Sequence, residues 1–193
     1  MDSIMENSNF YILTGGPGSG KSTVLNLLFS MGYPVVPEVG RKIIQEQVSV
    51  EGNALPWGDT CRYAELMLLH SVLDFGKFVS LNMPRFFDRG IPDILGYCRF
   101  ARIPVGKKLE SAVRNYRYNP VVFVFPPWET IYTQDSERKQ SFQEARDTCY
   151  AIRGVYEENG YRTVAVPFLP PEERAVWILN YLSLPSVCTS RLY

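Results

Sequence analysis

Gly15-Gly16-Pro17-Gly18-Ser19-Gly20-Lys21-Ser22 meets the spacing Gly-x4-Gly-Lys-Ser without a mismatch, and Thr23 follows it. Phe10-Tyr11-Ile12-Leu13 before it reads as a buried strand, and Ser22 to Met31 after it as a helix. A glycine-rich turn between a strand and a helix lets successive backbone N–H groups face one anionic centre. The helix N-terminus adds its positive dipole end. Gly15 to Thr23 are therefore the expected nucleotide-binding residues, Lys21 reaching the β- and γ-phosphates and Ser22 offering its hydroxyl to Mg²⁺. The alternative, a glycine-rich turn without a ligand, leaves the agreement of motif, strand and helix unexplained.

Outward from this motif, short apolar runs alternate with helical segments, the pattern of a parallel α/β sheet. Tyr33 to Pro37 reads as a second strand ending at Glu38-Val39, Arg85 to Asp88 as a third, Val121 to Phe125 as a fourth, and Arg162 to Val166 as a fifth. Helices are expected over Gly40–Val48, from Asp59 or Thr60 to Leu81, Ile94–Ala101, Leu109–Tyr116, up to about Glu158, and from Pro170-Pro171 onward. In the long helix Leu66, Leu69, Val72 and Leu73 are assigned to the apolar face. The expected fold is α/β, three-layered, with a five-stranded parallel sheet and a short lid at about 128–146. The domain would run to residue 183 and a tail from 184 to 193. Ligands of such sheets bind beyond the strand carboxyl ends, where the P-loop, Glu38, Asp88 and Pro126-Pro127 all fall.

Three positions outside the loop carry candidate chemistry. Asp88, closing the third strand, is the carboxylate a P-loop protein needs to hold Mg²⁺ directly or through water, beside Ser22; the bland reading is a helix-capping or turn aspartate before Gly90. Glu38 can take the proton from a substrate hydroxyl, or serve as an acid favoured by the next helix dipole. Asp135-Ser136-Glu137-Arg138-Lys139-Gln140 reads as a lid whose Arg138, then Lys139 or Arg146, meets the charge of a transferring phosphoryl group; a solvated helix face is the other reading. Arg89 faces either the phosphates or a surface partner. Arg99, Arg102, Arg114 and Arg117 with Tyr97, Phe100, Tyr116 and Tyr118 form a basic-aromatic cluster suited to a phosphorylated or aromatic ligand, or to surface packing. Trp57 is expected as a core anchor rather than a cover over substrate.

Composition narrows the class. Twenty Lys and Arg balance twenty Asp and Glu, so no global field draws nucleic acid or an acidic membrane. The four cysteines form no Cys-x-x-Cys pair, and His70 has no ligand spacing around it. Residues 1–9 resemble no targeting peptide, and no apolar run approaches the ~20 residues of a membrane span. A cytoplasmic protein is expected, and the sequence leaves a homo-oligomer open.

Thr14 to Thr23, Pro37-Glu38-Val39-x-Arg41, Asp88-Arg89-Gly90-x-Pro92-Asp93, Glu137-Arg138 and Pro171-x-x-Arg174 together resemble a small predicted-ATPase family among the AAA-labelled P-loop proteins. That family is similar to nicotinamide riboside, nucleoside and nucleotide kinases. The resemblance covers about Phe10 to Leu182. It implies that Asp88-Arg89 matches the Asp-Arg or Glu-Arg pair of those kinases, Glu38 their strand-two acid, and Arg138 a lid arginine. It implies ATP and Mg²⁺ as cofactors, without excluding GTP, and a small-molecule phosphate acceptor, with Lys21, Glu38, Asp88, Arg89 and Arg138 catalytic. The alternative class is a nucleotide-dependent switch that hydrolyses ATP or GTP slowly and acts through a protein or lipid partner. The guanine-reading Asn-Lys-x-Asp of switch GTPases is absent, and Arg89 stands where a AAA+ motor carries Glu.

Overall fold

The computed structural model describes residues 3–16, 18–129 and 142–186. In chain order they form β1 (Met5–Glu6), β2 (Phe10–Gly15), α1 (Lys21–Ser30), β3 (Val35–Val36), α2 (Val39–Ser49), α3 (Thr60–Phe78), β4 (Arg85–Asp88), α4 (Ile91–Phe100), α5 (Lys107–Asn115), β5 (Tyr116–Arg117), β6 (Val121–Phe125), α6 (Phe142–Glu158), β7 (Arg162–Ala165) and α7 (Pro171–Tyr181). The main sheet is parallel, with spatial order β3-β4-β2-β6-β7. The chain leaves β2 towards β3 and β4 on one side and later returns to β6 and β7 on the other. The order therefore reverses at β2, and the P-loop follows the strand where such sheets bind ligands. The α/β architecture with a five-stranded parallel sheet is the one expected.

Every residue of β2 is buried because both faces of the sheet are covered. Strand alternation divides its side chains between two cores. Phe10 and Ile12 join Phe87, Val122 and the inward faces of α2 to α6. Tyr11 and Leu13 join Phe86, Phe123 and Phe125 under α1 and α7. The C-terminal end of the described chain belongs to the second core: Tyr33 donates its hydroxyl to Pro185 O (2.5 Å), and the Leu184 amide bonds Leu179 O at 2.8 Å.

Two expectations about packing are corrected. Leu69 and Leu73 are 52% and 59% exposed, and α3 instead buries Tyr63, Ala64, Met67 and Phe75. The helix has apolar residues on more than one face, and contact with α2 and α4 selects which one is covered. Trp57 is 69% exposed in its loop and anchors nothing. A parallel two-stranded pairing of β1 with β5 also appears, in segments too short for periodicity to reveal. The centre of the expected lid, residues 130–141 with Arg138 and Lys139, lies outside the described residues, as does Pro17. No helix among the described residues is long and apolar enough to cross a membrane.

Candidate active site

The P-loop owes its shape to backbone fit. Gly15 has φ +143°, and a Cβ there would sit 2.3 Å from Phe125 O, so only glycine lets the loop leave β2 against β6. Gly20, with φ +78°, turns the chain into α1 as its N-cap. Ser19 ties the loop to itself, its hydroxyl donating to Gly16 O at 2.9 Å. From beneath, the buried Arg174 of α7 donates to Ser19 O at 3.0 Å and lies over the rings of Phe125 and Trp128. Ser22 and Thr23 are exposed at the start of α1, as hydroxyls facing a ligand must be.

Lys21 is nearly buried and its Nζ donates to Asp88 Oδ1. Parallel pairing of β2 with β4 sets Leu13 opposite Asp88, which carries that carboxylate to the mouth of the loop. Arg89 follows with φ +72°, a left-handed conformation that a side chain rarely adopts. Its amide bonds Leu13 O at 3.0 Å, and its guanidinium is gripped twice. Nε donates to Glu38 Oε1 at 2.9 Å, and Nη1 reaches Asp93 Oδ1 at 3.3 Å. Glu38 is the N-cap residue of α2 but makes no capping bond; its carboxylate goes to Arg89 instead.

Asp93, the third residue of α4, is the node behind this grip. Besides Arg89 it accepts from the Gly90 amide at 2.8 Å and from the hydroxyls of Thr14 and Tyr156. With four donors its oxygens are satisfied, so it holds Arg89 in place rather than acting on a ligand. Tyr156 comes from α6, and Thr14 from β2.

The electrostatics follow from this arrangement. Burial pushes the Glu38 carboxyl up, but the charges of Arg89, Lys21 and Arg41 and the Arg89 bond outweigh it and hold Glu38 below its ordinary value. Burial disfavours the Arg89 cation, yet Glu38, Asp93 and Asp88 hold its proton firmly. Burial and then the Asp93 charge raise Tyr156 well above a normal phenol, so it remains a donor. Tyr63 is raised first by burial and then by Glu38, while burial pushes Tyr97 up to about 12.

Beside this network opens a cavity of about 410 Å³, lined by Glu38, Asp88, Arg89 and Asp93 on one side and by Tyr63, Tyr97 and Phe100 among its aromatic walls. Asp88 thus touches both compartments: Lys21 holds it from the P-loop and its residue lines the cavity. The structure brings Lys21, Glu38, Asp88 and Arg89 together. It separates the basic-aromatic cluster. Tyr97, Phe100 and Tyr118 line the cavity, whereas Arg99 pairs with Glu158 and Arg117 stacks on Tyr161 while bonding Asn159 O. Arg146 is exposed on α6.

A family model described as an AAA domain matches residues 10–174. The chain belongs to this AAA-domain family. No curated protein sequence matches it. Among solved structures, the AAA-domain protein is similar to thymidylate kinase from Candida albicans at TM-score 0.61 and 12% identity, covering 90% of both chains. It is similar to deoxyadenosine kinase from M. mycoides at TM-score 0.59 and 13% identity, over 90% of this chain and 98% of that one. Shikimate kinase from Acinetobacter baumannii, in complex with shikimate, aligns at TM-score 0.55 and 14% identity over 94% of both chains. These likenesses show a shared P-loop kinase fold.

Of the residues that sequence reasoning left without a role, Asp93 and Arg174 stood inside quoted strings. The spacing Gly90-x-x-Asp93 places an acid where it can reach back to the amide of the helix's capping residue, a signal available in advance. Tyr156 carried none, since it is one aromatic among several on α6.

Proposed function

We propose that this protein is a small-molecule kinase transferring the γ-phosphoryl group of ATP to a hydroxyl of a nucleoside- or nucleotide-like acceptor. The observation that carries the reading is the shared carboxylate: Asp88 accepts from the P-loop lysine and lines a cavity of acceptor size. An acceptor hydroxyl in that cavity would lie between the phosphate cradle and Glu38. In this reading its oxygen forms the new bond to the γ-phosphorus as the bond to the β,γ-bridging oxygen breaks. The electron pair leaves with ADP, and the hydroxyl proton passes to the Glu38 carboxylate. Glu38 suits that part because its neighbours keep it ionised. Lys21 would stabilise charge on the transferring group, and Arg89 would hold Glu38 in place beside it. Arg138 is retained as the lid arginine of this proposal.

The donor set fits Mg²⁺. Ser22 supplies an exposed hydroxyl and Asp88 a carboxylate at the mouth of the loop. That is the protein share expected of a hard cation that takes its other ligands from phosphates and water. Ser22 and Asp88 would hold the ion, which when bound neutralises phosphate charge.

Kinase neighbours at this fold level support the class, and the placement of the arginines argues against the switch alternative. Of the four arginines that a partner-reading basic pocket would use, Arg99 and Arg117 are engaged with Glu158, Tyr161 and Asn159, which leaves Arg102 and Arg114 exposed without an ion pair among the described residues. The test mixes the protein with γ-labelled ATP, Mg²⁺ and pooled metabolite alcohols, with Lys21→Ala as control. Label on a small molecule, lost in the control, is expected. Label released only as inorganic phosphate would replace the kinase reading with the switch.

A further inference from the structure

We propose that the cavity beside the P-loop selects an uncharged or cationic alcohol built on an aromatic ring, of the nucleoside class, and turns away acceptors already carrying a phosphate or carboxylate. The choice of phosphate acceptor rests on the kinase reading; the preference in binding does not.

The argument is one of charge. The described residues lining the cavity include four acids, Glu38, Asp74, Asp88 and Asp93, and one cation, Arg89. Lys21 offsets Asp88 from the P-loop side, and Arg41, outside the lining, adds a positive charge felt by Glu38. Arg89 is shared between Glu38 and Asp93, so its charge is spent on two carboxylates before any ligand arrives. Asp74, half-buried on α3, has no ion pair or hydrogen bond among the described residues. An acceptor phosphate is ordinarily met by an arginine presenting two donors. Here an entering anion meets unpaid negative charge in a partly desolvated space, where repulsion is screened far less than in water.

The walls suit a flat ring. Tyr63 and Tyr97 meet edge to face with centroids 5.7 Å apart, and Phe87, Phe100 and Tyr118 complete an aromatic enclosure. The raised phenols stay neutral, so they offer ring faces and hydroxyl dipoles but no charge. Aromatic faces beside carboxylates attract cations as well as rings. Asp74 and Ser71 place acceptor oxygens on the α3 side of the cavity, which suits ring N–H donors.

The test is titration calorimetry on the full chain with a non-hydrolysable ATP analogue present. Its ligands are matched pairs of uncharged nucleosides and their 5′-monophosphates, a permanently cationic pyridinium nucleoside, and shikimate as a carboxylate. Nucleosides or the pyridinium compound should bind, and the monophosphate or carboxylate should bind at least about 30-fold more weakly. Asp74→Asn should narrow that gap about fivefold. Equal or tighter binding of a monophosphate, or binding by none of the uncharged and cationic ligands at millimolar concentration, overturns the inference. The same ligands are then offered with γ-labelled ATP. A preference in binding without transferred label removes the kinase reading and leaves the selectivity standing.

Discussion

The two halves of the site are built by different means. The phosphate side is a stretch of backbone, Gly15 to Ser22, shaped by glycines and braced by single bonds from Ser19 and Arg174. The acceptor side is assembled from side chains on β2, α4 and α6 and from residues flanking α2 and β4, which converge on Arg89 and Asp93. A local stretch can be recognised by spacing, because the chemistry and the residues that provide it are neighbours in sequence. A convergent network has no spacing of its own. The phosphate-binding motif is therefore written in eight consecutive residues, whereas the cavity side depends on contacts across 51 to 79 positions.

The sharpest break between the halves is Lys21→Ala. It removes the cationic side chain aimed from the P-loop and, of the cavity lining described above, takes a partner only from Asp88. Phosphoryl transfer should fall on the order of 10²–10³-fold, as for loss of a single transition-state donor. Acceptor binding measured by calorimetry should persist. Equal loss of both would mean that the compartments are not separable.

Asp93→Ala cuts the acceptor side at its node. It leaves Arg89 with one carboxylate and strips partners from the Gly90 amide and the Thr14 and Tyr156 hydroxyls. Breaking a buried pair of this kind costs about 3 kcal/mol, or roughly 6–12 °C in Tm for a chain of this size. Thermal and urea unfolding measure it. The kinetic signature is a raised acceptor KM with the KM for ATP moved much less.

How much of this was visible in advance follows the same division. The boundaries of β4 and β6 coincide with Arg85–Asp88 and Val121–Phe125 because strands buried on both faces are continuous apolar runs with charge or proline at their ends. The face of α3 was not legible. Its apolar residues are spread around the helix, and neighbours from elsewhere in the chain decided that Met67 goes in and Leu69 stays out. Glu38 was legible as an acid at a strand end, but its bond to Arg89 was not, since that needs an arginine in a left-handed backbone 51 residues away.

Acid should loosen the acceptor side through Glu38. The folded Glu38 carboxyl sits below its ordinary value of 4.5, so its bond to Arg89 contributes stability in full above that pH. The contribution is lost as pH falls through the lower folded value. Unfolding free energy should therefore decline below pH 4.5, and Glu38→Gln should flatten this part of the profile. Transfer, if Glu38 is the base, should hold its rate from pH 8 down through pH 6. A fall in rate centred near pH 6 would assign the proton to another group.

The mildest perturbation separates positioning from folding. Tyr156→Phe keeps the buried ring, fully enclosed and packed edge to face on Tyr161, and deletes only the hydroxyl that donates to Asp93. Asp93 keeps the Gly90 amide, Thr14 and Arg89, so the loss should be about 1 kcal/mol, within the ordinary range for one hydrogen bond. Because the missing bond lies behind Arg89 and Glu38, the acceptor KM should rise while affinity for the ATP analogue stays level. A purely structural tyrosine would lower Tm and leave both constants alone. If instead the two constants shifted together, α6 would be bracing the whole crevice, consistent with its close approach to the P-loop at Gly16, where a Cβ would meet Ala145 O at 2.7 Å.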